Sequence, residues 1–146
     1  LQEGTVSAEN TAKIQKTMMN MLNAFNERDV ESTLSKFYFD DNFLSYGIDG
    51  SKISNREETR RHLEDYFGKF EEIELEVVWS KVTVYRIMAT FVGECTLKSR
   101  DNAQSNPIPM RLTAVLRDVN DRWKINRLHF STDALTQAAS GYLMTL

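Results

Sequence analysis

Apolar residues in the first third of the chain recur at helical spacing. From about Ser7 to Arg28, the residues Ile14, Met18, Met21, Leu22 and Phe25 stand at offsets 0, 4, 7, 8 and 11, one stripe of a 3.6-residue repeat. The stripe predicts a first helix, with Ser7 or Asn10 as its cap and the first five residues as a frayed tail. Asp29 can accept from the free N–H groups of the turn that follows it. Val30, Leu34 and Phe37, at 0, 4 and 7, then predict a short second helix. After Phe37 the period shortens. Asn42–Tyr46 and Ser51–Ile53 read as two short strands around a turn that holds Gly47 and Asp49-Gly50. Arg56–Lys69 reads as a third helix. Its start has capping-box spacing, either Ser54 with Glu57 or Asn55 with Glu58, and its apolar face is Leu63, Tyr66, Phe67 and Phe70.

The second half alternates. Ile73, Leu75, Val77 and Trp79 take turns with Glu72, Glu74, Glu76 and Val78, a period of two. The glutamates read as the wet face of an edge strand, where like charges discourage edge-to-edge pairing. Ile87–Leu97 sets Ala89, Phe91, Gly93 and Cys95 on one face and Thr90, Val92, Glu94 and Thr96 on the other. Ser99–Pro109 is polar, holds Pro107 and Pro109, and reads as a long loop. Met110–Asp118 and Arg122–Phe130 read as strands joined by a tight turn at Asn120-Asp121. Several strands carry apolar residues on both faces, which predicts that something packs on the second face. Beyond them, Leu135, Ala138, Ala139, Tyr142, Leu143 and Leu146 fall at 0, 3, 4, 7, 8 and 11. That stripe predicts a C-terminal helix over 132–146, weakened by Gly141, serving as a linker or a dimer contact. Helices gathered ahead of a run of strands indicate an α+β domain over 7–131, with the helices on one face of a bent sheet.

Composition narrows the function classes. Hydrophobic residues are 41% of the 146, enough for one core, and charged residues are 27%. A single cysteine, Cys95, excludes an internal disulfide framework or a thiolate zinc cluster. No metal or cofactor is expected. The apolar runs fall short of a membrane span and no leader-like segment opens the sequence, so a cytoplasmic protein with no membrane partner is expected. The net charge is −3, and Arg56, Arg60 and Arg61 interleave with Glu57 and Glu58. No basic face for nucleic acid is expected. Nothing matches a phosphate-binding loop, a dinucleotide fingerprint or a zinc-protease motif.

An ordered set of short pieces carries a family resemblance. It runs from Asp29-Val30 through Phe37, Tyr38 and Asp40-Asp41 to Phe43-Leu44-Ser45-Tyr46-Gly47, then Arg111 to Arg117, Arg122-Trp123-Lys124-Ile125 and His129-Phe130-Ser131. In this the chain resembles the SnoaL-like division of the nuclear-transport-factor-2-like superfamily, the cystatin-like α+β cone. The resemblance implies a curved, mostly antiparallel sheet wrapped around three helices, a conical pocket between them, and homodimers through the outer sheet face. Its members include isomerases, dehydratases, cyclases, adaptors and sensor domains, so the fold alone settles little. Steroid-isomerase relatives place an aspartate base on the first short strand, after an Asp-Asp pair. Here that position holds Tyr46, a poor base near neutral pH. The first-helix tyrosine of those relatives is also missing from the stripe.

Two residues lead as chemical candidates. His129 sits late on the last strand among apolar neighbours, and an imidazole can donate, accept or shuttle a proton. Tyr46 can offer its hydroxyl to a ligand oxygen. With them, Met21, Phe25, Phe37, Tyr66, Phe67 and Phe91 are expected to line the pocket. His62, beside Arg60 and Arg61, reads as solvated. Asp40, Asp41 and Asp49 read as turn formers that bond nearby backbone N–H groups. Trp79 either walls the pocket or covers the outer face, and Trp123 and Cys95 read as core. Met18, Met19 and Met21 suit a pocket for varied apolar ligands, or plain core filling. The expected function is binding of a small apolar or mixed-polarity molecule, as in the sensory module of a signalling protein. The alternatives are an isomerase or dehydratase using His129 and Tyr46, and a dimerisation module without a ligand.

Overall fold

The first element, α1 (Gln2–Asn26), takes in most of the expected tail as well as the stripe. Ile14, Met18, Met21 and Leu22 are buried along it. Ser7 and Asn10 therefore lie inside the helix, and the Asn10 side chain accepts from the Trp123 indole N–H at 3.4 Å. The structure, a computed structural model, describes residues 2–69, 72–99 and 107–132. The expected C-terminal helix over 132–146 lies outside the described residues apart from Thr132, as do Phe70 and most of the expected proline loop.

Two short elements follow. In α2 (Val30–Leu34) the Asp29 side chain accepts from Ser32 N–H, the expected cap. The strand β1 (Leu44–Tyr46) turns at Gly47–Gly50 into β2 (Lys52–Ile53). Gly50 has φ +83°, a conformation that glycine takes without strain. The third helix, α3 (Arg56–Lys69), begins as its spacing predicts. Glu58 N–H donates to Asn55 Oδ1 at 2.9 Å, and the Glu58 carboxylate accepts from Ser54 N–H at 2.8 Å.

Four long strands complete the sheet: β3 (Ile73–Tyr85), β4 (Met88–Ser99), β5 (Ile108–Val119) and β6 (Arg122–Ser131). The order is β2-β1-β6-β5-β4-β3. Every pairing is antiparallel except β1 with β6. The β5–β6 hairpin turns on Asn120 and Asp121, both at positive φ, as a two-residue hairpin turn requires. This is the α+β sheet-and-helix architecture that the patterning indicates, with β3 at one edge.

The concave face of the sheet carries the core. Ala89, Phe91, Cys95 and Leu97 of β4, and Met110, Leu112, Ala114 and Leu116 of β5, point into it with Ile14 and Met18 of α1. Full burial of each large side chain contributes about 1.5–3 kcal/mol. Two bulges set the sheet's shape. One falls between Val77 and Trp79, where β3 gains a residue against β4. Strict alternation puts Trp79 with Leu75 and Val77; the bulge moves it to the convex face, half-exposed at 50% beside an exposed Val78. The other falls opposite Val115 and Leu116, where β6 places both Ile125 and Asn126 inside. Asn126 then donates to the Tyr38 carbonyl and to Asp40 Oδ1, each at 2.9 Å.

Candidate functional site

A cavity of about 110 Å³ lies between the helices and the concave sheet face. Its inner wall is apolar. Met21, Leu22 and Phe25 come from α1, Leu63 from α3, and Leu75, Leu97, Met110 and Leu128 from the long strands. The helical stripe of α1 supplies both core and wall, because its last turns run past the packed centre to the start of β3, where Asn26 bonds Leu75, and to α3, where Phe25 meets Tyr66. Phe37 adds a ring that stacks on Phe39 at 5.9 Å and meets Phe43 edge-on at 5.9 Å.

The outer end is polar. Tyr46, Gly47, Ile48 and Asp49 rim it from the β1–β2 turn, and His62 and Tyr66 from α3. Ser45 pairs with Leu128 on one side and Ile53 on the other. Both partners are buried and line the cavity, so Ser45 faces the same way. Among the described residues, neither the Ser45 hydroxyl nor the His62 imidazole has a hydrogen-bond partner. Burial pushes the Tyr66 phenol well above the usual tyrosine range, so it stays protonated. Its ring packs 5.0 Å from Phe25. Asp49 is the one formal charge in the wall, and its Oδ1 accepts from Ser51 N–H at 2.9 Å. Among the described residues no Lys or Arg lines the cavity.

Of the eight residues expected to bind a ligand, five line this cavity: Phe25, Met21, Phe37 and Tyr66, and at its rim Tyr46, whose ring turns toward His129 rather than inward. Three do not. His129 lies opposite Tyr46 in the parallel pairing and is exposed on the convex face, with the Tyr46 ring 5.8 Å away. Alternation decides this, because Leu128 and Phe130 on either side of it face the cavity. Phe91 is fully buried, and its ring folds over Gly93, where a Cβ would lie 3.0 Å from Phe91 Cε1. Phe67 packs behind the wall, 5.4 Å from Phe25.

His62 is the correction in the other direction. Its sequence neighbours are arginines, but its helical neighbours are Thr59 and Tyr66, three and four residues away. Thr59 is buried and Tyr66 half-buried, and His62 sits between them, half-buried at the cavity rim. Reading the helix by turns rather than by sequence would have found it. Ser45 gave no such signal, because a three-residue strand is too short to show its parity.

Elsewhere the candidates are structural. The Asp40 carboxylate is held below the usual range, chiefly by the Asn126 side chain, then by Asn42 N–H and the Arg117 guanidinium, against the opposing effect of burial. Arg117 Nη1 lies 3.1 Å from Asp40 Oδ2. Cys95 is buried, and burial pushes its thiol up to about 11. Among the described residues no group of three or more His, Cys, Asp or Glu is placed to hold a metal ion, and no helix is long and apolar enough to cross a membrane.

Comparison with known proteins places this geometry. A family model described as a SnoaL-like domain matches residues 14–135. No curated protein matches the sequence. Among solved structures, a protein of unknown function with a cystatin-like fold from Nostoc punctiforme superposes with a TM-score of 0.76 at 17% identity, over 88% of this chain and 94% of that one. A protein provisionally described as a dehydratase of the NTF2-like family, from Streptomyces avermitilis, gives 0.77 at 16% identity, over 86% and 97%. An NTF2-like protein of unknown function from Pseudomonas putida gives 0.77 at 16% identity, over 86% and 87%. Identities this low establish the shared fold.

Proposed function

The chain belongs to the SnoaL-like domain family, and from that premise we propose that it binds a small, mostly apolar molecule in the cavity between α1, α3 and the sheet. The observation that carries this reading is an apolar cavity with two unpartnered polar side chains, Ser45 and His62, at one end. An apolar hole with nothing to bind is a loss of packing. Ser45 and His62, half-buried at its outer end, are polar groups that a ligand can pair. A ligand with an apolar body and a polar head fills the hole and meets both. The volume sets the scale. At about 110 Å³ it falls below the roughly 300 Å³ of sites for drug-sized ligands and near the roughly 150 Å³ that accommodates benzene in a protein core. The ligand is therefore of single-ring size.

Thermal melting against a panel of single-ring compounds tests the reading. A ligand present at about 100 times its Kd adds about 2.7 kcal/mol of stability, which raises Tm by several degrees. A flat panel at millimolar concentrations overturns it.

The isomerase or dehydratase reading built on His129 with Tyr46 loses its support, because His129 lies on the convex face rather than at the cavity. A second reading, of assembly, has its own observation. Trp79, Tyr85, Met88 and Val92 are exposed large side chains on the convex faces of β3 and β4, with Tyr85 directly opposite Met88. Such a patch fits a homodimer through the outer sheet face.

A further inference from the structure

The charge around the cavity restricts its ligand further, an inference that rests on the binding function proposed above. We propose that the cavity selects single-ring molecules with an uncharged hydroxyl or carbonyl head and rejects the carboxylate of the same ring.

Around Met21, Leu22, Leu97 and Met110 the wall is apolar but for the weakly accepting thioethers of the methionines, and the Thr33 hydroxyl that also lines the cavity already donates to the Asp29 carbonyl. The ring must therefore enter first and leave its head at the Ser45 and His62 end. What waits there is a hydroxyl, which can donate and accept, and an imidazole, which in its neutral form offers one donor and one acceptor. These match an alcohol, a phenol or a carbonyl. A carboxylate could accept from both, but with no guanidinium or ammonium among the described lining residues its charge stays uncompensated. Among the described residues no Lys or Arg lines the cavity, and the one formal charge, Asp49, is negative and sits at the mouth. A carboxylate would lose its hydration with no cation to replace it, and would pass a like charge on the way in. An ammonium head would meet the Asp49 carboxylate only at the exposed rim.

Four probes share one ring and differ in the head: toluene, benzyl alcohol, benzylamine and benzoate. Each is titrated into the full chain and followed by two-dimensional amide NMR, reading Ser45 and the residues around His62. Benzyl alcohol is expected to bind five- to tenfold more tightly than toluene, and benzoate at least a hundredfold more weakly than benzyl alcohol. Ser45→Ala and His62→Leu are each expected to remove much of the benzyl alcohol advantage while leaving toluene affinity within twofold. Thermal melting of both variants confirms that they fold. Benzoate or benzylamine binding as tightly as benzyl alcohol overturns the selectivity and leaves the binding function standing. So does a benzyl alcohol advantage that survives both substitutions. Absence of binding by all four, toluene included, overturns the binding function and the selectivity together.

Discussion

Arg28 stands in a backbone conformation that its side chain type rarely adopts, and its replacement separates two opposing energies. It follows α1 with φ +64°, at the position where helices usually place glycine. Asp29 N–H donates to the Ala24 carbonyl and Arg28 N–H to the Phe25 carbonyl, each at 3.0 Å. These are the paired bonds of a Schellman closure. A residue with a Cβ costs about 1 kcal/mol there. The side chain offsets that cost. Its guanidinium lies 5.3 Å from the centre of the Phe67 ring and donates to the Phe67 carbonyl, in the last turn of α3 where carbonyls lack helical partners. A partly exposed cation–π contact contributes about 1 kcal/mol, and a hydrogen bond from a charged donor about 1.5 kcal/mol. Arg28→Ala loses both and keeps the strain, a loss of about 2.5 kcal/mol. Arg28→Gly loses both but regains the strain, a net loss of about 1.5 kcal/mol. In a domain of this size each kcal/mol shifts Tm by about 3–5 °C, so the two variants separate in a melt or a urea titration followed by tryptophan fluorescence. A glycine variant as stable as the parent refutes the assigned side-chain contribution. An alanine variant no weaker than the glycine variant refutes the strain.

Four further outcomes follow from the geometry. Asn26→Ala removes a side chain that both donates to the Leu75 carbonyl at 2.8 Å and accepts from Leu75 N–H at 2.9 Å; it should cost about 1–3 kcal/mol, read in a urea titration. The depressed Asp40 carboxyl stabilises the fold above the unfolded carboxylate value and stops doing so as pH falls through its lower folded value. Asn126→Ala should raise the Asp40 pKa and move that loss to higher pH, visible in carbon-detected NMR titration of the carboxyl. Cys95, with its thiol pushed up to about 11, should react with iodoacetamide at pH 8 at least about a hundredfold more slowly in the native protein than in urea, because so little of it is thiolate; equal rates by mass spectrometry refute its burial. Trp79→Glu should give a monomer in sedimentation at concentrations where the parent is a dimer, and a parent that sediments as a monomer at micromolar concentration refutes the outer-face assembly.

Long periodic segments were legible without coordinates. The α1 stripe, the Asp29 cap, the limits of α3 and the alternation of β4 all follow from local spacing. What escaped depends on single-residue parity. One inserted residue at Val78 turns Trp79 from the concave to the convex face, and no composition rule marks such a bulge. His129 lies among apolar neighbours, yet alternation sends it outward while Leu128 and Phe130 go in. The parallel pairing of β1 with β6 is a long-range contact, and it alone determines that Ser45 faces the cavity and Tyr46 joins His129. Met21, Phe25 and Tyr66 line the cavity because they sit on strongly periodic helices, and Phe37 because its backbone bridges Ile125 of β6.

The place of β6 in the sheet has a consequence for how the chain acquires its structure in time. β6 is the latest described strand in sequence, yet it lies between β1 and β5. Residues 44–46 wait for residues 127–129 before they have a neighbour on that side. The segment after α2 waits likewise, since Tyr38 N–H donates to the Ile125 carbonyl and Ile125 N–H to the Lys36 carbonyl, both at 2.8 Å. On a ribosome, the helices and the β1–β2 hairpin emerge first and have half of their sheet missing until residue 131 is out. Contacts of such long sequence separation slow folding. A chain halted before β6 exposes the apolar stripes of α1 and α3 for the whole delay, which makes the nascent protein a candidate for chaperone capture at that stage of synthesis.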